Sequence, residues 1–124
     1  RQRELRRIAA FDFIANNADR KGGHCLEGLD ERIWGIDHGL TFHAVYKMRT
    51  VIWDFRGQAV PAKLQADMTA LAEQLEKQGE LFARLTELLT RTEVNALMAR
   101  LAAMIGAGVF PEPGPHRSVP WPSI

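Results

Sequence analysis

At 124 residues, with 46% hydrophobic and 25% charged residues, the chain is long enough for one domain with a real core and too polar to be a membrane-embedded bundle. Its formal net charge of +1 argues against a dedicated nucleic-acid binder, and its single cysteine, Cys25, excludes an internal disulfide, so a cytoplasmic setting is expected. No apolar run approaches the roughly 18 residues needed to span a bilayer, and the arginine-rich opening has no apolar stretch behind it like that of a signal peptide.

Residues 2–17 read as a helix, with Leu5, Ile8, Ala9 and Phe13 at helical spacing. The charged opening from Arg1 to Arg7 reads as a solvated face. Asn16-Asn17-Ala18-Asp19 ends the pattern, because asparagine and aspartate bond their own backbone in turns, and Lys21-Gly22-Gly23 makes a tight loop. His24-Cys25-Leu26 and Arg32 to Asp37 flank a polar turn at Glu27 to Glu31, which predicts a β-hairpin. Residues 43–60 carry no decisive period and are compatible with short strands, helical turns or irregular chain.

From there to residue 105 the pattern is helical. Pro61 suits a first helical position; Leu64, Met68, Leu71 and Leu75 form one apolar stripe, closed by Gly79. Leu81, Phe82, Leu85, Leu88 and Leu89 form a second. Thr90 with Glu93 reads as a capping box opening a third helix, which carries Val94, Leu97, Met98, Leu101, Met104 and Ile105 and ends at Gly106 and Gly108. Five of the six prolines follow Gly108, so 109–124 reads as an extended tail, expected to lie on its own domain through Phe110 and Trp121.

The chemistry-bearing residues concentrate between residues 19 and 43. Asp19 is followed five residues later by His24 and thirteen after that by Asp37, in Ile36-Asp37-His38-Gly39-Leu40. Metal-assisted phosphoryl transfer in protein kinases uses a catalytic-loop Asp, a metal-binding Asn five residues on, and a further metal-binding Asp before Gly. Here His24 stands at the Asn position and Asp37 at that of the second Asp, and a hairpin would bring the two side by side with Asp19 facing them. Magnesium prefers oxygen ligands, which suits Asp37; an imidazole at His24 suits manganese better. A zinc site is disfavoured, since adjacent His24 and Cys25 on a strand point to opposite faces. His38 and His43 are expected to be hydrogen-bonded structural histidines.

The stretch from Asp12 to Arg20 (Asp-Phe-Ile-Ala-Asn-Asn-Ala-Asp-Arg), His24, and Ile36-Asp37-His38-Gly39-Leu40-Thr-Phe42 together resemble the phosphatidylinositol 3-/4-kinase-related family, and most closely the bacterial kinase-like proteins similar to type II phosphatidylinositol 4-kinases. Members carry an N-x-D-R catalytic loop and an I-D-N-G-L-x-F metal-binding segment. The resemblance covers residues 12–42, with an added likeness of the Arg117-Ser-Val-Pro-Trp121-Pro tail to a bacterial subgroup. It implies catalysis by Asp19, metal binding by Asp37, ATP with Mg2+ or Mn2+ as cofactors, and a hydroxyl acceptor that is a lipid, a protein or a small molecule. His24 and His38 replace asparagines of the family pattern.

The expected architecture is α+β and mostly helical: the C-terminal lobe of a protein-kinase-like fold with a β-hairpin at the metal site. Residues 1–108 would form the lobe, comprising catalytic loop and hairpin (1–42), an irregular segment (43–60) and helices (61–108), with the proline-rich tail at 109–124. The chain opens at Arg1 and contains neither a glycine-rich phosphate loop nor a strand-borne V-A-I-K lysine, so the nucleotide-covering N-terminal lobe is expected upstream and the fragment is expected to be inactive alone. A kinase-like binding or regulatory module without catalysis is the second reading, and a metal-dependent nuclease or hydrolase the third.

Overall fold

The computed structural model describes residues 2–36, 38–114, 118–121 and 123–124. The fold is α+β, with about half of the chain helical: α1 (Gln2–Ile14), a 3₁₀ turn (Gly22–His24), β1 (Cys25–Glu27), β2 (Ile33–Gly35), α2 (Ala62–Glu76), α3 (Glu80–Leu88) and α4 (Arg91–Ala107). The strands form a two-stranded antiparallel sheet in the register Cys25–Gly35, Leu26–Trp34 and Glu27–Ile33.

α1 stops at Ile14, three residues before the expected end. Asn16 takes the left-handed conformation (φ 55°), its N–H donates to the Phe13 carbonyl and the Asn17 N–H to that of Asp12. This is the Schellman arrangement, with asparagine in the place glycine usually fills. Gln78 (φ 53°) reverses the chain after α2 in the same way, so Gly79 does not close α2 but precedes α3. Pro61 has ψ 145° and lies just outside α2, its carbonyl accepting the Gln65 N–H, where a first helical position was expected. The capping box of α4 forms as predicted: Thr90 Oγ1 accepts the Glu93 N–H at 3.1 Å and Glu93 Oε1 accepts the Thr90 N–H at 2.8 Å. Gly108, at φ 69°, ends that helix.

α4 packs against α1, α2 and α3, and the core gathers Ala9, Met68, Leu75, Phe82, Val94, Leu101 and Met104. The second apolar stripe is only partly a core face. Phe82 is buried and Leu85 and Leu89 pack beside it, whereas Leu81 and Leu88, seven residues apart on another face, are exposed. The segment 43–60 forms no named strand or helix, yet Met48, Ile52, Phe55 and Val60 are buried and Thr50 makes a parallel bridge to Arg20. The tail runs back over the domain: Phe110 is buried against Phe55, the Thr50 N–H and Trp53 Nε1–H both donate to the Ser118 carbonyl, and the Gly22 N–H donates to that of Ser123. Trp121, expected to anchor this segment, is 81% exposed.

Candidate functional site

The loop from Asn16 to Arg20 is held from three sides by groups that are completely buried. On the α1 side, Asp12 is fully buried and faces Arg20, also fully buried; Arg20 Nε donates to Asp12 Oδ2 at 3.0 Å and Nη2 to Oδ1 at 2.9 Å. Asn17 Nδ2 and Thr50 Oγ1 donate to the same carboxylate at 3.1 and 3.3 Å. A desolvated carboxylate is tolerated when each lone pair is engaged, and here a charged fork and two neutral donors engage it.

From the other side, Arg20 Nη1 donates to the carbonyls of His24 (3.1 Å) and Ile36 (3.0 Å), which belong to the two chains at the base of the hairpin. One guanidinium thus ties α1, the loop and the hairpin together. Gly35 lies beside this guanidinium, and a Cβ there would stand in van der Waals contact, 3.4 Å from both terminal nitrogens of Arg20. On the third side, Asn16 spends its whole amide on the segment 43–47: Nδ2 donates to the His43 and Val45 carbonyls at 2.8 and 2.7 Å, and Oδ1 accepts the Lys47 N–H at 2.7 Å. Arg100 of α4 reinforces this corner by donating to the carbonyls of Ile14 (2.9 Å) and His43 (3.2 Å). Burial disfavours its charged form and pushes its pKa down.

Within this frame Asp19 sits on an Asx turn, its N–H donating to Asn17 Oδ1 at 3.0 Å, with a half-buried carboxylate 3.8 Å from Lys21 Nζ. His24 lies in the 3₁₀ turn rather than on a strand, and its ring folds back over the loop: Nδ1 is 2.8 Å from the Asp19 carbonyl oxygen and 3.3 Å from the Lys21 backbone nitrogen. Nδ1 is thus the ring nitrogen turned to the backbone of the loop, facing both the Asp19 carbonyl and the Lys21 N–H. The His24 carbonyl accepts the Ile36 N–H, extending the hairpin by one pair beyond its strands. The structure therefore brings Asp19 and His24 together. Asp37, the other metal ligand expected from sequence, lies outside the described residues; among the described residues, no group of three His, Cys, Asp or Glu side chains converges as a metal cluster.

The remaining candidates take structural positions. His43 Nδ1 accepts the Val45 N–H, and the His38 ring packs edge-on against Phe11, 4.9 Å between centroids. Between α1 and the hairpin, Arg7, Ile8, Phe11, Arg20, Gly35 and His38 line an open cleft of about 330 Å3. Cys25 is half-buried, and burial raises its thiol pKa.

Thr50 and Arg100 carry no signal in spacing, and Asp12, Asn17 and Arg20 appear there only within the turn and the family-like stretch. One signal was present for Asp12, which continues the apolar stripe of Leu5, Ile8 and Ala9; a carboxylate on a core-facing stripe demands a buried cationic partner.

A curated protein of Mycobacterium tuberculosis, Protein Rv2133c, is 40% identical to this chain over 120 residues, covering 97% of the chain and 42% of that protein. The chain thus spans less than half the length of this relative. No family model matches the chain, and no solved structure matches it. No helix among the described residues is long and apolar enough to cross a membrane.

Proposed function

We propose that this chain is the C-terminal, catalytic part of a kinase-like phosphotransferase that moves the γ-phosphate of ATP to a hydroxyl acceptor. The observation that carries the reading is the contact of His24 with the Asp19 turn, His24 Nδ1 lying 2.8 Å from the Asp19 carbonyl, on a loop braced by Asp12 and Arg20. A backbone acceptor on one ring nitrogen is how metal-binding histidines are commonly oriented, with the other nitrogen directed to the ion. On these terms His24 would bind a divalent ion through Nε2 and Asp37 through its carboxylate, with Mn2+ better suited than Mg2+ to the nitrogen ligand. When bound, the ion would neutralise charge on the phosphate oxygens.

Asp19 would accept the proton of the attacking hydroxyl or orient it. Its Asx turn holds the backbone while the side chain stays half-exposed, as a group that must reach a substrate requires. Lys21, 3.8 Å from it, would add positive charge near a transferred phosphoryl group. The nucleotide-covering lobe belongs in this reading to the part of the longer protein outside this chain, in line with the 42% coverage of the mycobacterial relative. A cytoplasmic setting rests on the lone thiol of Cys25.

The test is phosphate transfer from ATP by the full-length protein with Mg2+ or Mn2+. Asp19→Ala and Asp37→Ala are each expected to abolish it, and full activity in either variant removes that residue from the mechanism. Calorimetry with ATP and metal separates the reading from a non-catalytic module: absence of metal-dependent nucleotide binding by the full-length protein would favour the module.

A further inference from the structure

The candidate site lies at the C-terminal end of α1. The N-terminal end of the same helix, about 20 Å away along its thirteen residues, carries a second feature that the phosphotransfer reading does not use. The first turns of α1 and α2 lie together and enclose a cleft of about 510 Å3. Arg3, Arg6, Arg7 and Lys63 line it, Pro61 and Leu64 contribute apolar surface, and Asp67 is its one carboxylate. A chain of net charge +1 thus concentrates four cations against one anion in a single concavity. A solvated charged face, which the arginine-rich opening suggests, would instead spread its charges over a convex surface.

The four cations are not equivalent. Arg6 is occupied, stacking 4.5 Å from the Phe55 ring centroid and reaching Gln58 Oε1 at 3.4 Å. Lys63 pairs with Asp67 at 2.7 Å. That bond is the main reason the Asp67 carboxyl is held below its usual range, with Arg7 and Arg3 contributing at longer distance. Arg3 and Arg7 are exposed, and neither has a hydrogen-bond or ion-pair partner among the described residues. Two uncommitted guanidinium forks on adjacent turns of one helix, with an ammonium across the cleft, offer several charge-assisted donors to a compact multivalent anion. The apolar surface of Pro61 and Leu64 and the alkyl stems of the arginines can cover whatever carries that anion.

We propose that this cleft binds a phosphate-bearing anion, with Arg3 and Arg7 as its main ligands and Lys63 as a third cation. Two arginines on adjacent turns with an ammonium across the cleft suit a phosphate better than a lone carboxylate, which one guanidinium already saturates. The same chemistry is presented by a small soluble phosphate compound and by a lipid headgroup at a membrane surface. Arg7 also borders the cleft beside the hairpin, but the proposal does not depend on the phosphotransferase reading.

Binding of inorganic pyrophosphate to the chain by calorimetry at low salt, and co-sedimentation with phosphatidylcholine vesicles containing phosphatidylglycerol, test the site. Binding to at least one probe is expected, weakened by about tenfold or more in Arg3→Ala/Arg7→Ala, weakened by added salt, and strengthened in Asp67→Asn. Both arginines are exposed, so the double variant should keep the far-ultraviolet circular dichroism and melting temperature of the parent. A charge-matched control, Arg84→Ala/Arg91→Ala, should bind as the parent does. Pyrophosphate binding identifies a soluble source, and vesicle binding alone a headgroup. No binding of the parent chain to either probe overturns the site, as does an equal loss in both double variants, or no loss in the first together with no gain in Asp67→Asn.

Discussion

The two halves of the molecule solve the burial problem differently. Between α2 and α4 the chain buries leucine, methionine, valine and phenylalanine at helical spacing, and each such side chain contributes about 1.5–3 kcal/mol without needing a particular partner. Around the Asn16–Arg20 loop the fully buried side chains include Asp12, Asn16, Asn17, Arg20 and Thr50, each with its own hydrogen-bonded partners. Apolar packing tolerates exchange of one residue for another of similar volume, whereas a polar network holds one geometry because each unmet donor or acceptor is expensive. The Asn16–Arg20 loop, whose Asp19 carbonyl meets the His24 ring, has the second kind of support.

Breaking the polar half should cost most. Asp12→Ala strands the Arg20 guanidinium in a site with no exposure and should destabilise the chain by about 3–5 kcal/mol in urea unfolding. Arg20→Ala should cost a similar amount, and the double variant much less than the two losses added. Additive losses would show that the pair is not the coupled unit its geometry describes.

In the helical half, Leu101→Ala, at 1% exposure, should lose about 2–5 kcal/mol, while Leu88→Ala, at 81% exposure on the stripe expected to be core, should stay within about 0.5 kcal/mol of the parent. Equal effects would restore the five-residue stripe as a core face.

Asn16 separates backbone from side-chain effects. Asn16→Gly keeps the left-handed turn but loses three hydrogen bonds to the segment 43–47; Asn16→Ala also strains the backbone, and should be the less stable of the two by roughly 1 kcal/mol. The order of the two melting temperatures checks this.

The most local of these effects belongs to the cap of α4. Thr90→Ala should cost about 0.5–2 kcal/mol. The Thr90 backbone N–H, then its hydroxyl, hold the Glu93 carboxyl below its ordinary range. The cap's contribution is therefore present above the ordinary glutamate range and is lost as pH falls through it to the folded value. Between neutral and acid pH, Glu93→Gln should lose less stability than the parent.

Much of this architecture was legible along the chain, because helices and hairpins announce themselves by local period. The capping box at Thr90, the hairpin pairing across Glu27 to Glu31 and the apolar face of α4 follow from neighbours within a few residues. The end of α1 was misread because asparagine at Asn16 adopts the left-handed position that glycine usually marks. Segment 43–60 carried no period because its order comes from outside: Thr50 and Lys47 are held by Arg20, Asp12 and Asn16, 30 to 38 residues away. His24 was legible as a candidate by spacing, but its ring orientation depends on the 3₁₀ turn and the Asp19 carbonyl.

By itself, then, the sequence determined the α+β class, the hairpin, the three C-terminal helices and the neighbourhood of Asp19 and His24, since each rests on short-range geometry. Only the tertiary structure decided that Arg20 is the joint between α1, loop and hairpin, that Asn16 and Arg100 pin the segment beside the loop, and that the arginines opening α1 share a cleft with Lys63. Those outcomes depend on contacts between residues far apart in the chain, and no local pattern encodes which distant partner a buried charge will find.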